Sequence, residues 1–374
     1  MTLRVKTMLA ALCMLAAYSE ITAAQSLDLT VHDVGISIGD SRRVTGLRLN
    51  FRDRRMEEVN GVDITVWQPY RENHGVVNGL ALGVPMTGAQ RITGIGAGIF
   101  GVAVNQSLHG LGIGGIGLGA GEDIEGIAVG GIGMGVGRDL RGIGVGGIGM
   151  GIGDDLRGIG IGGIGMGIGQ NLEGAAIGGI GAGIGQNLVG VAIGGIGVGV
   201  GGNGRGILLS GIASGVGGDM NGVMIAGIGA GVGRNVKGLT VAGIGVGAGH
   251  DVTGIQLAGV GIGAGGTLKY LSVAAIGIGA QRIEGVAVAS GIGAEQTRGL
   301  IVAPFYFKIV QYGRANGVNI SAYNDVRGTQ QGLAIGIFNY ARTLDGVQIG
   351  LLNYAANKRS ARLLPLFNYA RSER

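Results

Sequence analysis

The chain has 374 residues, of which 87 are glycine and four are proline, with 14% charged residues and a formal net charge of +5. Scarce proline excludes collagen and Pro-Gly disordered tracts, and abundant Ile, Val and Leu with little charge excludes an intrinsically disordered chain. The basic residues are scattered, with no run of five or six and no aromatics among them through the middle, so they do not describe a nucleic-acid surface.

The first residues, MTLRVKTMLAALCMLAAYSEITAAQ, read as a secretory signal. Arg4 and Lys6 form a basic head, residues 8–17 an apolar run, and Thr22-Ala23-Ala24 a small-residue exit. A signal peptide is therefore expected at 1–24. Cys13, the only cysteine, lies inside it, so the exported chain is expected to hold no disulfide and to depend on burial and backbone pairing.

Residues 25–93 contain strand-like pieces such as TGLRLNF (45–51) and NGVDITVW (60–67) and are expected to form an N-terminal β cap.

Residues 94–269 form an array. Glycine recurs at 94, 110, 126, 142, 158, 174, 190, 206, 222, 238 and 254, always sixteen residues apart. A fixed internal period decides architecture before local propensity does. In one unit the apolar residues are Ile143, Val145, Ile148, Met150, Ile152 and Leu156, spaced mostly by two, which is strand periodicity. All six are expected to face the interior, with the apolar face changing parity at a corner or bulge at Gly146-Gly147. The second break carries Asp or Asn at 123, 139, 155, 171, 187, 203, 219, 235 and 251. These side chains bond nearby backbone and tolerate left-handed angles, so a tight turn is expected there. Membrane helices do not fit, because each glycine costs about 1 kcal/mol in a helix and one twelve-residue stretch holds seven.

Residues 270–374 form a C-terminal section in which the spacing shortens and aromatics return: APFYFKIV, GLAIGIFNYA, GVQIGLLNYA, LLPLFNYA. The segments 332–341, 346–355 and 363–370 resemble the G-(L/V)-Q-I-G-L-x-N units of a bacterial surface-repeat family first described in leptospires. Members of that family carry signal peptides and are described as surface proteins, and the resemblance implies no enzymatic activity. It covers roughly the last 45 residues; the array puts glycine where the family has Gln and lacks the Asn.

Two all-β architectures satisfy the array. In a β-solenoid each sixteen-residue unit is one coil, stacked about 4.8 Å from the next. In a transmembrane antiparallel β-barrel, twelve residues such as 142–153 span a bilayer with the apolar face on lipid. Barrel neighbours run oppositely, so a 32-residue alternation and aromatic girdles are expected; the array has neither. The solenoid is preferred. Its cost is a stack of like charges at Asp123, Asp139 and Asp155, which Arg138, Arg141 and Arg157 can relieve.

The motifs of catalysis are weak. Gly142-x-Gly144-x-x-Gly147 matches a dinucleotide fingerprint in form, but more glycine follows where a helix is required. The GIGDDL segments lack the spacing of a nine-residue calcium repeat. His32, His74, His109 and His250 are too dispersed for a metal cluster, and Ser210 and Ser214 have no placed base. No catalytic, cofactor-binding or metal-binding residue is therefore assigned, and neither a nucleic acid nor a small-molecule substrate is indicated. The expected function is an exported, non-enzymatic cell-surface or envelope repeat protein. It would act as a rigid scaffold toward an unidentified surface or envelope partner, with outer-membrane association in view; the alternative is an outer-membrane barrel serving as pore or transporter.

Overall fold

The structure, a computed structural model, describes residues 26–67 and 75–371 and divides into two compact units, Met1–Gly137 and Arg138–Arg374. The expected signal peptide, Cys13 and His74 lie outside the described residues. Among the described residues all regular structure is strand, with no helix.

In the second unit each sixteen-residue repeat forms a long strand and a short one, Leu140–Gly146 and Gly149–Ile152 in one coil. Each pairs with the strand sixteen residues on, parallel and in register: Leu140 with Leu156, Ile143 with Ile159, Gly149 with Gly165. The same offset carries the long strands to Val252–Ala258 and the short ones to the start of Gly261–Ala274. Every backbone amide along a strand thus finds its partner in a neighbouring coil. This is a β-solenoid. The barrel is excluded, because barrel neighbours run antiparallel and these run parallel.

The interior differs from the sequence expectation. Leu140, Met150, Ile152 and Leu156 are buried, as are Gly144 and Gly146. Ile143 is 38% exposed and Ile148 50% exposed, with Val145 half-buried. The parity of the buried face does not change at Gly146-Gly147: the even-numbered positions 140, 144, 146, 150 and 152 all face inward. In these coils the middle of the long strand has no room for a side chain beside the short-strand methionines, whose methyls lie where a Cβ on Gly160 would stand. Met150 and Ile152 occupy the space, and after Leu140 the facing long strand offers only Gly144 and Gly146 to it.

That complementarity recurs from coil to coil. Gly160 faces Met166, and a Cβ at Gly160 would overlap the methyls of Met150 and Met166. Where the long-strand position holds Leu208, the short strand holds Ser214; where it holds Met224, the short strand holds Ala230, all four buried. In these coils large meets small; at the equivalent Gln256 and Ile262 two large side chains are both buried.

The sixteen-residue glycine row has a steric cause. Gly174 has φ +135°, and a Cβ there would overlap the carbonyl oxygen of Gly158 on the preceding coil. Tyr270 occupies this row between Gly254 and Gly285 and keeps the positive φ, at 84°.

Beyond Ala264 the offset shortens: Thr267 pairs with Arg282, and Gly277 with Gly291. A continuous run of 65 extended residues, Gly291–Ala355, follows. Drawn straight it would exceed roughly 200 Å; instead it winds, bringing Asn324, Asn339 and Asn353 into a buried ladder. The Asn324 amide donates to Asn339 Oδ1 and the Asn339 amide to Asn353 Oδ1, each at 2.7 Å. The strand Leu363–Ala370 then returns antiparallel along 346–354 and closes the unit. The aromatic-ended segments 332–341 and 346–355 are thus solenoid coils, and 363–370 is the antiparallel closing strand, each with a buried asparagine.

The first unit opens on an antiparallel hairpin, Ser26–Val31 with Val34–Gly39, turned at His32 and Asp33, both left-handed at φ 53° and 63°. Two consecutive left-handed residues match the twist of the flanking strands. Parallel coils follow, with Gly46, Gly61, Gly79, Gly94, Gly110 and Gly126 aligned. Their core contains a charged cluster: Arg48, fully buried, pairs with Asp53, with Asp63 at 2.9 Å and with Asp40 at 3.4 Å. Burial, with Asp53 beside it, pushes the Asp63 carboxyl up to about 6 against the pull of Arg48.

Candidate functional site

Stacking identical coils converts each sequence position into a row of like side chains along the surface. In the second unit three adjacent rows lie on and beside the outer face of the long strands. The first runs from Ile143 and Ile159 to Ile255 and Leu271, and the second from Val145 and Ile161 to Leu257 and Val273. The third, at the corner after each long strand, runs Ile148, Ile164, Ile180, Ile196, Ile212, Ile228, Ile244, Val260 and Ile276, each 40–63% exposed. All twenty-seven positions of these rows are aliphatic. A folded chain usually keeps such residues inside, so their presentation in three uncharged rows is the most distinctive surface of the unit.

The charged row lies along one side of this face. Arg157 reaches Asp155 at 3.6 Å and Glu173 at 3.4 Å, Arg141 reaches Asp139 at 3.5 Å, and Lys269 reaches Glu284 at 3.5 Å. Stacked carboxylates are therefore relieved by arginine, as the sequence implied, although these pairs are largely exposed and worth little individually.

The Asp/Asn positions form an outer corner ladder rather than tight left-handed turns. None of them has positive φ among the described residues. Each side chain instead accepts from the backbone amide of the next coil: Asn171 N donates to Asp155 Oδ1 at 3.1 Å, Asn203 N to Asn187 Oδ1 at 3.0 Å, and Asn235 N to Asp219 Oδ1 at 3.0 Å. The Asn235 and Thr267 amides hold the Asp219 and Asp251 carboxyls below the usual carboxylate range. A recess of about 730 Å³ runs beside this ladder, with Arg205 and Lys237 at its wall.

The outer face of the short strands carries almost nothing. A Cβ at Gly151, Gly167, Gly183 or Gly199 would meet no atom within 4 Å, so these glycines leave bare, flat backbone. Near the C-terminus, Tyr323, Tyr340, Gln311, Arg327 and Arg342 line a recess of about 680 Å³ around Asp325. Asp325 accepts from the Tyr306 hydroxyl and from Arg327 Nε, each at 3.0 Å, and burial with this bond pushes the Tyr306 hydroxyl up to about 12.

The residues weighed for chemistry are dispersed. His109 meets Glu125 at 3.1 Å, His32 sits in the hairpin turn, and His250 lies on the corner beside Asp251. The Ser210 and Ser214 hydroxyls are 2.8 Å apart. Gly142, Gly144 and Gly147 lead into the short strand Gly149–Ile152, not a helix. Among the described residues no group of three His, Cys, Asp or Glu is placed to hold a metal ion. Sequence reasoning missed the aliphatic rows because it assigned Ile143, Val145 and Ile148 to the interior. The signal that could have found them is the inverse size relation at 144/150, 160/166, 208/214 and 224/230, which marks those positions as facing each other.

No protein family, characterised protein or solved structure matches the chain.

Proposed function

We propose that this protein is an exported, non-enzymatic scaffold of the cell surface or envelope, which presents rows of identical side chains to a partner. The observation that carries this reading is the in-register stacking of coils, which repeats one surface pattern at a spacing of about 4.8 Å with no helix or inserted domain among the described residues. Such a surface suits extended contact rather than the convergent polar pocket that catalysis needs. The basic head, apolar run and small-residue exit at 1–24 support export, and the G-φ-x-I-G-φ-x-N segments at the C-terminus support a surface location by resemblance.

Fractionation of the native cell, with a carbonate wash of the envelope and amino-terminal sequencing of the recovered chain, tests this reading. The expected result is a chain beginning near Gln25 in the envelope or exterior fraction. An unprocessed chain confined to the cytoplasm would overturn it.

A further inference from the structure

We infer that the aliphatic face of the second unit is a homotypic interface, covered in solution by the same face of a second copy of this chain. The nine corner residues from Ile148 to Ile276, each about half exposed, alone present on the order of 700 Å² of aliphatic surface, and with the Ile143 and Val145 rows the face exceeds roughly 1,000 Å². The largest apolar patch on an ordinary monomer is about 300–600 Å². A stable interface needs about 800 Å² from each partner. The face is therefore too large for a solitary surface and large enough for a pair.

Three features select a second copy over another occupant. In-register aliphatic ladders at strand spacing are self-complementary, because the rows of one sheet seat between the rows of an identical sheet and exclude water. The segment as a whole is close to neutral, with seven Lys and Arg (138, 141, 157, 205, 234, 237, 269) against six Asp and Glu (139, 154, 155, 173, 219, 251) in residues 138–276, so net charge does not hold two copies apart. A lipid surface would be favoured by interfacial aromatics within the rows, and none of the twenty-seven row positions holds one. Finally, a two-fold axis parallel to the rows sets the charged row of one copy opposite the Ile148 edge of the other. Like charges then stay apart at the rim, and the pair closes on itself.

The test is sedimentation of the full mature chain, as wild type and as two triple variants. Ile180→Lys/Ile196→Lys/Ile212→Lys changes exposed corner positions, and Gly167→Lys/Gly183→Lys/Gly199→Lys adds the same charge to the bare glycine face. The expected result is a wild-type mass of twice the chain or a multiple of it. The isoleucine triple should fall to the single-chain mass with an unchanged circular dichroism spectrum, and the glycine triple should keep the wild-type mass. Ile180→Thr/Ile196→Thr/Ile212→Thr gives the same reading should the lysine triple fail to fold. A single-chain mass for the wild type, or an assembly that both isoleucine triples leave intact, would sink the proposal. So would a wild type that sediments singly but floats with phosphatidylcholine or phosphatidylglycerol vesicles, which would assign the face to lipid. None of these outcomes depends on where the protein resides.

Discussion

Gly160 and Met166 share one volume inside the solenoid: the methyl of Met166 lies where a side chain on Gly160 would have to go, with Leu156 Cδ2 2.9 Å from the same point. The Leu208–Ser214 pair solves the same problem with the sizes exchanged. Gly160→Leu alone should destabilise by about 1–3 kcal/mol through overpacking. Met166→Ser alone should cost about 2–5 kcal/mol by leaving a cavity. The double variant should be better than the sum by about 1–3 kcal/mol. Urea denaturation of the four proteins gives that coupling, and simple additivity would refute the shared-volume account.

Two glycine rows separate steric need from surface character. Gly174→Ala forces a Cβ onto the Gly158 carbonyl at φ +135° and should destabilise by several kcal/mol, at least about 2. Gly183→Ala meets open space and should be neutral or stabilising by about 0.5 kcal/mol. Tyr270→Gly should raise stability by about 1 kcal/mol, since it relieves an aromatic residue held at φ 84°. Thermal melting of the three variants checks the order.

The Asp63 carboxyl gives the first unit a pH dependence of definite sign. Its folded value, about 6, lies above the ordinary 3.8, so folding favours the protonated form. The stabilisation is complete below about pH 4 and is lost as pH rises through 6, amounting to no more than about 3 kcal/mol. Hydrogen exchange of residues 26–67 should therefore be slower at pH 5 than at pH 7.5, after correction for intrinsic rates. Asp63→Asn should abolish that difference, and an unchanged difference in the variant would assign it to another group.

The buried amide ladder predicts a polar dependence in the C-terminal coils. Asn339 donates to Asn353 Oδ1 and to Ile349 O, at 2.7 and 3.1 Å, and accepts from Asn324. Asn339→Leu should cost about 2–4 kcal/mol despite its greater hydrophobicity, because it strands buried polar groups on both neighbouring coils. A calorimetric melt that moves upward would contradict this.

How far the sequence reveals this fold depends on which level is asked. The sixteen-residue step from Gly142 to Gly158 reports coil stacking directly, because only equivalent coils place a glycine beneath the same carbonyl each time. Parity is less legible. An alternating strand of Ile143, Val145 and glycine has two faces, and hydrophobicity alone assigns the isoleucines inward. The opposing strand had already filled the interior with Met150 and Ile152, a fact that belongs to the facing distance between sheets and not to either strand. The corner residues Asn171 and Asn187 read correctly as polar breaks, but their partners lie sixteen residues away, beyond what local turn chemistry can indicate. Asn339 reads as the end of an aromatic strand until the winding of 291–355 shows that it points inward.

The closing strand Leu363–Ala370 lies antiparallel on its neighbour, whereas the coils before it add in parallel. The direction of the ladder therefore reverses at this strand, and a coil stacked on it in the direction of the earlier coils would pair antiparallel to it. Insertion or removal of one sixteen-residue unit between 142 and 254 would lengthen or shorten the array by about 4.8 Å without disturbing the register of the coils on either side.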